Sequence, residues 1–248
     1  MLLCRRATET RGRIELTPLE ATVRILDLGC GSGIDLAPWH VTALDHVIGL
    51  DIRRDRLAAA KVRFPDRTYV QGRGECLPFA DASFDHVISS VSLPYMNIQK
   101  TLAEIHRILV PKGSLSLSLH LPSFTVHELL HVAIPKPVPT LFRLCVAANG
   151  ALFHCTGRTV GFPNGRTESF QTLRGMRVAL AQAGFINPVF SRETNARGEV
   201  LLVDATNTGC ALFWHCSHSH LKLENCIAVR LRISPPPLCP KSASGTLL

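Results

Sequence analysis

The sequence has few aromatic residues, a modest number of charges and no long apolar run. Aromatic side chains make up 6% of the 248 residues and charged side chains 19%. No stretch reaches the roughly 18 apolar residues that a membrane-spanning helix needs, and residues 1–6 hold no apolar core of a secretion signal. The sequence therefore predicts a globular protein with one full hydrophobic core and no membrane span.

Paired cysteine spacing is also missing. The nine cysteines are an odd number, and one of them, Cys30, lies in a glycine-rich segment. Cys210, Cys216, His218, His220 and Cys226 invite a zinc interpretation, but they contain no C-x2-C pair. We therefore expect reduced thiols, a cytoplasmic location and no metal site.

A basic stripe interleaved with aromatic residues is absent as well. The formal net charge is +8, but the arginines are scattered along the chain. Nucleic-acid binding usually needs clustered cations beside stacking side chains. The charge is thus more simply interpreted as a basic surface, and nucleic acid is an unlikely partner.

The clearest positive signal is a glycine loop between two apolar runs. Val23–Leu28 leads directly into Gly29–Gly33, and Val47–Leu50 ends in Asp51. This order predicts a strand, a loop, a short helix, a second strand and an acid. Glycines let a backbone turn sharply beside a ligand, and an acid at the second strand end can accept hydrogen bonds from ribose hydroxyls. The pattern predicts a site for a nucleoside-containing cofactor.

The loop differs from the fingerprint of dinucleotide-binding proteins. It has the spacing G-x-G-x-G, and Ile34 stands where the last glycine of G-x-G-x-x-G would be. Asp27, just before the loop, would repel a pyrophosphate but suit a ligand that carries an ammonium group. An oxidoreductase that uses a nicotinamide cofactor stays open as an alternative.

At these residues the chain resembles the class I S-adenosylmethionine-dependent methyltransferases. The resemblance rests on Leu26–Gly33 and on Gly49–Asp51, and it runs from about Val23 to Ala205. The segment Gln71–Phe79 resembles the type-11 pattern, in which G-D-A-E precedes L-P-F, and similar matches occur at Phe84-Asp85 and at Glu104–Gly113. The resemblance implies an α/β fold, a Rossmann-like doubly wound sheet that is mostly parallel with an antiparallel C-terminal hairpin strand.

The resemblance also implies a cofactor site for S-adenosylmethionine. The residues it assigns are Asp27, Gly29, Cys30, Gly31 and Gly33 around the methionine part, Asp51 at the ribose, Ile52, Gly74 and Glu75 around the adenine, and Ser89, whose neighbouring carbonyls would take the donor's amino group. Arg73 replaces the family's acid in the adenine loop and cannot accept a hydrogen bond. A backbone carbonyl or Glu75 would then have to bind the adenine amino group.

The remaining segments give four predicted regions. They are a short N-terminal lead at 1–22, the methyltransferase domain at 23–205, a substrate cap within it at 122–170, and a poorly ordered Cys/Pro-rich extension at 206–248. Within the domain, the patterns predict helices at Arg53–Phe64, Gln99–Leu109 and Ser169–Ala183, two cap helices at Phe124–Ala133 and Thr140–Phe153, a strand at Ser114–Leu121 after a turn at Lys112-Gly113, and a hairpin of Asn187–Arg192 and Glu199–Ala205.

We therefore expect an enzyme that moves a methyl group from S-adenosylmethionine to a small acceptor by in-line displacement. The apolar cap favours an apolar acceptor, and His120 and Tyr95 are the candidates for catalysis at the carboxyl ends of strands. The alternative is a non-catalytic cofactor-binding or interaction protein, which Arg73, the short lead and the unusual tail suggest. The sequence does not indicate an oligomeric state.

Overall fold

The computed structural model describes residues 23–33, 47–128, 137–162, 167–195, 198–208 and 246–247. Three predictions lie outside these residues: the N-terminal lead, the short helix after the glycine loop, and most of the tail with its cysteines and histidines.

Eight strands and five helices follow one another in the described chain. The strands are β1 (Ile25–Leu28), β2 (Val47–Asp51), β3 (Thr68–Gln71), β4 (Phe84–Ser90), β5 (Leu109–His120), β6 (Phe185–Asn195), β7 (Gly198–Asn207) and β8 (Thr246–Leu247). The helices are α1 (Arg54–Arg63), α2 (Ile98–Ile108), α3 (Pro122–Glu128), α4 (Pro137–Thr156) and α5 (Leu173–Gln182), and a short 3₁₀ turn covers Leu93–Tyr95.

The strands form one sheet in the order β6-β7-β5-β4-β1-β2-β3-β8. Strands β5, β4, β1, β2 and β3 run parallel to one another, whereas β6 and β7 form an antiparallel hairpin whose β7 pairs with β5. The order reverses between β1 and β4, and ligands of open α/β sheets bind at such a reversal. The predicted doubly wound sheet with its C-terminal hairpin is confirmed. Two tail residues, Thr246 and Leu247, add a short antiparallel strand beside β3.

The alternating leucines and serines of β5 lie on opposite faces of the sheet. Leu115, Leu117 and Leu119 are fully buried in the larger core cluster, on the face covered by α2 and α5. The serines between them point to the opposite face, where Ser116 donates a hydrogen bond to Asp204 of β7 at 2.5 Å. A period of two thus separates an apolar face from a hydroxyl face.

Some predicted boundaries are wrong. Strand β5 begins at Leu109, so Lys112-Gly113 lies inside the strand, where the positive φ of Lys112, 67°, and a register shift against β4 mark a bulge. Helix α5 begins at Leu173 instead of Ser169, because Thr172 caps it by accepting from the N–H of Gly175. Helix α3 begins at Pro122, since proline suits a first helical turn.

The F-D pair at the start of β4, Phe84-Asp85, connects β4 with the chain just before β1. Asp85 accepts hydrogen bonds from the backbone N–H of Arg24 at 2.9 Å and from its guanidinium Nε at 3.1 Å. The neighbouring Phe84 is buried and packs edge to face on Phe79, with the ring centroids 4.9 Å apart. The pair therefore fixes the start of β4 against the start of β1 and closes the core beneath.

One arginine holds the segment that follows β3. Arg107 of α2 donates to the carbonyls of Leu77 and Phe79, at 3.0 and 2.8 Å, and forms ion pairs with Glu104 and Asp81. Glu104 in turn accepts from the N–H of Leu77 at 2.8 Å. These bonds raise the pKa of Arg107, chiefly through Glu104. The L-P-F segment is therefore fixed to α2 by a charged network.

Replacing Arg107 by alanine should lower the free energy of unfolding by about 3 kcal/mol. The substitution leaves two carbonyls and the half-buried Glu104 carboxylate without their charged partner. Arg107→Lys should recover only part of the loss, because an ammonium cannot match the planar fork. Urea unfolding of the three proteins measures this, and an unfolding free energy unchanged in Arg107→Ala would contradict it.

A buried histidine in β4 should make stability depend on pH. His86 is 4% exposed, its Nδ1 lies 2.6 Å from the Ser114 hydroxyl, and burial lowers its pKa to about 4. The unfolded chain, with a histidine pKa of about 6.5, binds more protons between pH 6.5 and 4. Stability from this group is therefore complete above pH 6.5 and is lost as the pH falls toward 4.

We expect the free energy of unfolding to be about 2 kcal/mol lower at about pH 5 than at about pH 8 because of His86. His86→Asn cannot titrate there, so its pH dependence should be flatter by that amount. His154→Gln, at another histidine, serves as the control. Chemical unfolding at both pH values measures these free energies. The same pH dependence in the wild type and in His86→Asn would contradict the prediction.

The cysteines depart in part from expectation. Cys30, Cys145 and Cys155 have reduced thiols, whereas Cys76 is disulfide-bonded. The expectation of reduced thiols throughout is wrong at Cys76, because pairing depends on distance in the fold and not on spacing in the sequence. The cytoplasmic location stays a prediction. Among the described helices, none combines the length and apolarity needed to cross a bilayer.

Candidate active site

The predicted cofactor residues lie where parallel strands end side by side. Gly29–Gly33 follows β1, and Asp51 ends the neighbouring β2. The loop is fixed to β2 because the N–H groups of Gly29 and Cys30 both donate to the Leu50 carbonyl, at 2.7 and 3.1 Å. Gly29, Gly31 and Gly33 all have positive φ, which explains three glycines at alternate positions.

Gly29 is required for a close contact as well as for its backbone conformation. A Cβ added at Gly29 would lie 2.2 Å from the Cβ of Ser92, in the turn after β4. The Ser92 hydroxyl donates to the Leu28 carbonyl at 2.7 Å and lies 2.6 Å from the hydroxyl of Ser89. The loop after β1 and the turn after β4 are thereby locked together.

Gly31 has the opposite surroundings. Among the described residues, a Cβ added at Gly31 would meet no atom within 4 Å. The N–H of Gly31 donates to Asp51, so this point of the loop lies beside a carboxylate. The backbone here forms a cradle that a side chain would fill, and such a cradle fits the methionine part of S-adenosylmethionine.

Asp51 joins the two sides of this cradle. Its Oδ2 accepts from the N–H of Gly31 at 2.9 Å, and its Oδ1 accepts from the N–H of Arg53 at 2.8 Å. Each carboxylate oxygen keeps a lone pair, because a carboxylate offers about four acceptor sites. The fixed carboxylate suits the two adjacent hydroxyls of a ribose. Ile52, which follows it, is 52% exposed and offers an apolar surface to a flat ring.

The residues beneath the loop form a buried layer. Asp27 is 2% exposed. In the sheet, Gly49 of β2 lies between Asp27 of β1 and Tyr69 of β3. A Cβ added at Gly49 would lie 2.9 Å from both the Cys30 sulfur and the Tyr69 ring, so this glycine makes room for them. Burial raises the pKa of Tyr69 to about 12. Asp27, just before the loop, and Cys30, within it, are therefore both buried, and their contact with a donor stays a prediction.

The adenine side is the part that fits the family pattern least. Arg73 is exposed and forms an ion pair with Glu75, Nε to Oε2 at 3.5 Å. The other oxygen of Glu75 accepts from the N–H of Asn97 at 3.0 Å. Glu75 is thus engaged locally, and its role in binding adenine stays a prediction. Leu77 is buried in the core, so the L-P-F segment packs inward.

The Met96 side chain lies close to two of the predicted cofactor residues, Gly29 and Gly74. A Cβ at Gly29 would be 3.7 Å from the Met96 methyl carbon, and a Cβ at Gly74 would be 2.5 Å from its sulfur. The loops after β1 and β3 therefore meet at one flexible thioether. The sequence analysis did not select Met96, although its place directly after the β4 turn was the available signal.

The candidate acceptor side lies at the ends of β4 and β5. Ser89 is fully buried, so it supports the turn, whereas Tyr95 is 50% exposed. His120 ends β5, and its carbonyl accepts from the N–H of Gln171 at 3.2 Å. Gln171 is fully buried at this strand end. The structure thus places both catalytic candidates at the same edge of the sheet, and their catalytic role stays a prediction.

Ser92 and Gln171 were missed by the sequence analysis. Their contacts join segments 64 and 51 residues apart, Ser92 to Leu28 and Gln171 to His120. Only the position of Ser92 in the loop after β4 could have indicated it, because substrate loops occur there. Gln171 gave no local signal.

Comparison with known proteins agrees with this geometry. Residues 26–117 match the family model described as a methyltransferase domain. An uncharacterized methyltransferase of Synechocystis sp. is 41% identical over 107 residues, which are 40% of this chain and 49% of that protein. A demethylmenaquinone methyltransferase of Renibacterium salmoninarum is 40% identical over 93 residues, 37% of this chain and 39% of that protein. The match thus spans about half or less of these relatives' length.

Solved structures agree in fold. A S-adenosylmethionine-dependent methyltransferase from Methanosarcina mazei superposes with a TM-score of 0.51 at 17% identity, covering 76% of this chain and 94% of that one. The matched segment contains the glycine loop, Asp51 and the charged network around Arg107. Residues 26–117 therefore match the methyltransferase-domain family, and the described sheet has the fold of S-adenosylmethionine-dependent methyltransferases of known structure.

Proposed function

We propose that this protein transfers a methyl group from S-adenosylmethionine to a small acceptor by in-line displacement. The observation that carries the proposal is the Asp51 carboxylate, which is bonded to the N–H of Gly31 beside an open backbone cradle. A ribose and an amino acid joined through one sulfur atom have the size and polarity that these two features match.

The residues act by position. S-adenosylmethionine, when bound, supplies an activated methyl group on a sulfonium. Asp51 orients the ribose, and the left-handed loop Gly29–Gly33 admits the methionine part close to the backbone. Ser92 keeps the loop in register with the turn after β4, from which the acceptor side is built. Holding two reactants in line can supply much of a rate enhancement without covalent catalysis.

The acceptor would lie between Tyr95 and the end of β5. The exposed Tyr95 offers a ring and a hydroxyl, and His120 could orient the acceptor or take its proton. One similar protein is a demethylmenaquinone methyltransferase, and we propose a small apolar acceptor on that ground.

One observation favours the second candidate, a non-catalytic cofactor-binding protein. Arg73 replaces the expected acid, and it also occupies Glu75, the residue that could have replaced that acid. A site that holds the ribose but not the adenine would bind the donor weakly.

Calorimetric titration with S-adenosylmethionine, its demethylated product and NADH tests the proposal. We expect micromolar binding of the first two ligands and none of NADH. Methyl transfer to apolar phenols and quinols, followed by mass spectrometry, then separates an enzyme from a binding protein. Binding without transfer to any acceptor would favour the second candidate, and absence of donor binding would contradict both.

A further inference from the structure

Helix α4 carries an apolar stripe that faces solvent. Its exposed positions recur three and four residues apart and so lie along one side of the helix. They are Leu141, Leu144, Cys145, Ala148, Ala151, Leu152 and Cys155. The three leucines are 65, 51 and 39% exposed, although leucine is usually buried.

The other side of α4 already has its partner. Val146 and Phe153 are buried, and Phe153 packs against Gly175 of α5, where an added Cβ would lie 2.6 Å from the ring. Gly150 packs against Phe170 in the same way. The outward stripe is therefore a second apolar face, separate from the one that covers the sheet.

The part of the chain that contains the stripe is basic. The described residues between 137 and 192 include one acidic side chain, Glu168, and it is paired with Arg143. The same part of the chain has four more arginines, all exposed: Arg158, Arg174, Arg177 and Arg192. Arg158 follows α4 directly, and Arg174 and Arg177 lie on the neighbouring α5. An apolar stripe in a part of the fold that carries exposed arginines complements an anionic surface with an apolar interior.

We propose that this face of α4 docks the protein on the surface of an anionic lipid bilayer. The leucines enter the boundary between head groups and acyl chains, and the arginines contact the anionic head groups. The docking is peripheral, and it requires no helix that crosses the membrane.

A second copy of the chain fits the face less well. Two copies would bring the same excess of arginine together, and like charges across an interface disfavour association. The stripe is only about 20 Å long and covers one side of a single helix, so its area is smaller than the roughly 800 Å² per partner of a stable interface. A self-association would therefore be weak.

Flotation of the full chain with vesicles tests the proposal. We expect binding to phosphatidylglycerol-containing vesicles, little binding to pure phosphatidylcholine vesicles, and weakening by salt. Leu144→Gln/Leu152→Gln should reduce the binding at least about tenfold, because two side chains lose their burial in the acyl region. Val62→Gln, at an 87% exposed valine of α1, is the matched control and should leave binding unchanged.

Two double variants test the contribution of the arginine charges to vesicle binding. Arg158→Gln/Arg174→Gln should weaken binding to anionic vesicles about tenfold, whereas Arg54→Gln/Arg56→Gln, on exposed positions of α1, should not. Absence of binding to anionic vesicles would overturn the proposal. An equal loss of vesicle binding in both arginine pairs would also overturn it, because it would indicate attraction by net charge alone. A dimer in ultracentrifugation that Leu144→Gln/Leu152→Gln dissociates would overturn it as well.

Discussion

Asp51→Ala is expected to lower the affinity for S-adenosylmethionine and for its demethylated product at least about hundredfold. The substitution removes the acceptors for the ribose hydroxyls and the two bonds that fix the loop, from Gly31 at 2.9 Å and Arg53 at 2.8 Å. Each hydrogen bond to a charged group contributes roughly 1.5–3 kcal/mol, and about 2.7 kcal/mol corresponds to hundredfold in affinity. Calorimetric titration of both ligands measures the effect.

Two control variants show whether the effect is local. Asp66→Ala removes an exposed carboxylate after α1, so it should leave affinity unchanged. Asp51→Asn keeps one acceptor oxygen but turns an N–H₂ toward a backbone N–H, and it should lose affinity to an intermediate degree. An Asp51→Ala protein that stays folded and binds the donor normally would contradict the assigned ribose site.

Gly29→Ala is expected to lower the free energy of unfolding by about 4 kcal/mol. A φ of 77° is strained for alanine, and the added carbon would lie 2.2 Å from the Cβ of Ser92. The backbone contributes about 1 kcal/mol to this loss, and overpacking contributes about 3 kcal/mol. Denaturant unfolding of the variant measures the loss, which is a large part of the 5–15 kcal/mol typical of a domain.

Gly31→Ala is the matched comparison, because its φ of 55° is also positive but its Cβ would meet no described residue within 4 Å. It should cost about 1 kcal/mol of stability and yet block donor binding, since the carbon projects into the cradle. Adding Ser92→Gly to Gly29→Ala removes the atom in conflict and should restore part of the lost stability. Equal losses of stability in the two alanine variants would show that the contact with Ser92 does not matter.

Much of the fold could be predicted because its signals are local. The apolar runs before and after the glycine loop became the neighbouring parallel strands β1 and β2, and the alternation of serine and leucine became β5. The family resemblance supplied the order of the strands. The start of β5 was missed because Lys112 adopts a positive φ within the strand, where the sequence suggested a turn.

The site was predictable only in part, because only some of its signals are local in the sequence. The glycines and Asp51 follow each other at fixed spacing along the chain, so a pattern could select them. Ser92, Met96 and Gln171 act across the fold, through contacts that no local pattern records. The engagement of Glu75 by both Asn97 and Arg73 is a similar case, because it depends on how the β3 loop meets the start of α2.

The position of β5 between a parallel and an antiparallel neighbour also bears on biosynthesis. A nascent chain that has just completed β5 can pair it with β4, but β7, its other neighbour, is made only about eighty residues later. Until then, a twelve-residue strand has one unpaired edge, and such edges promote aggregation. Chains that stop before Gly198 should therefore depend on chaperones far more than complete ones do.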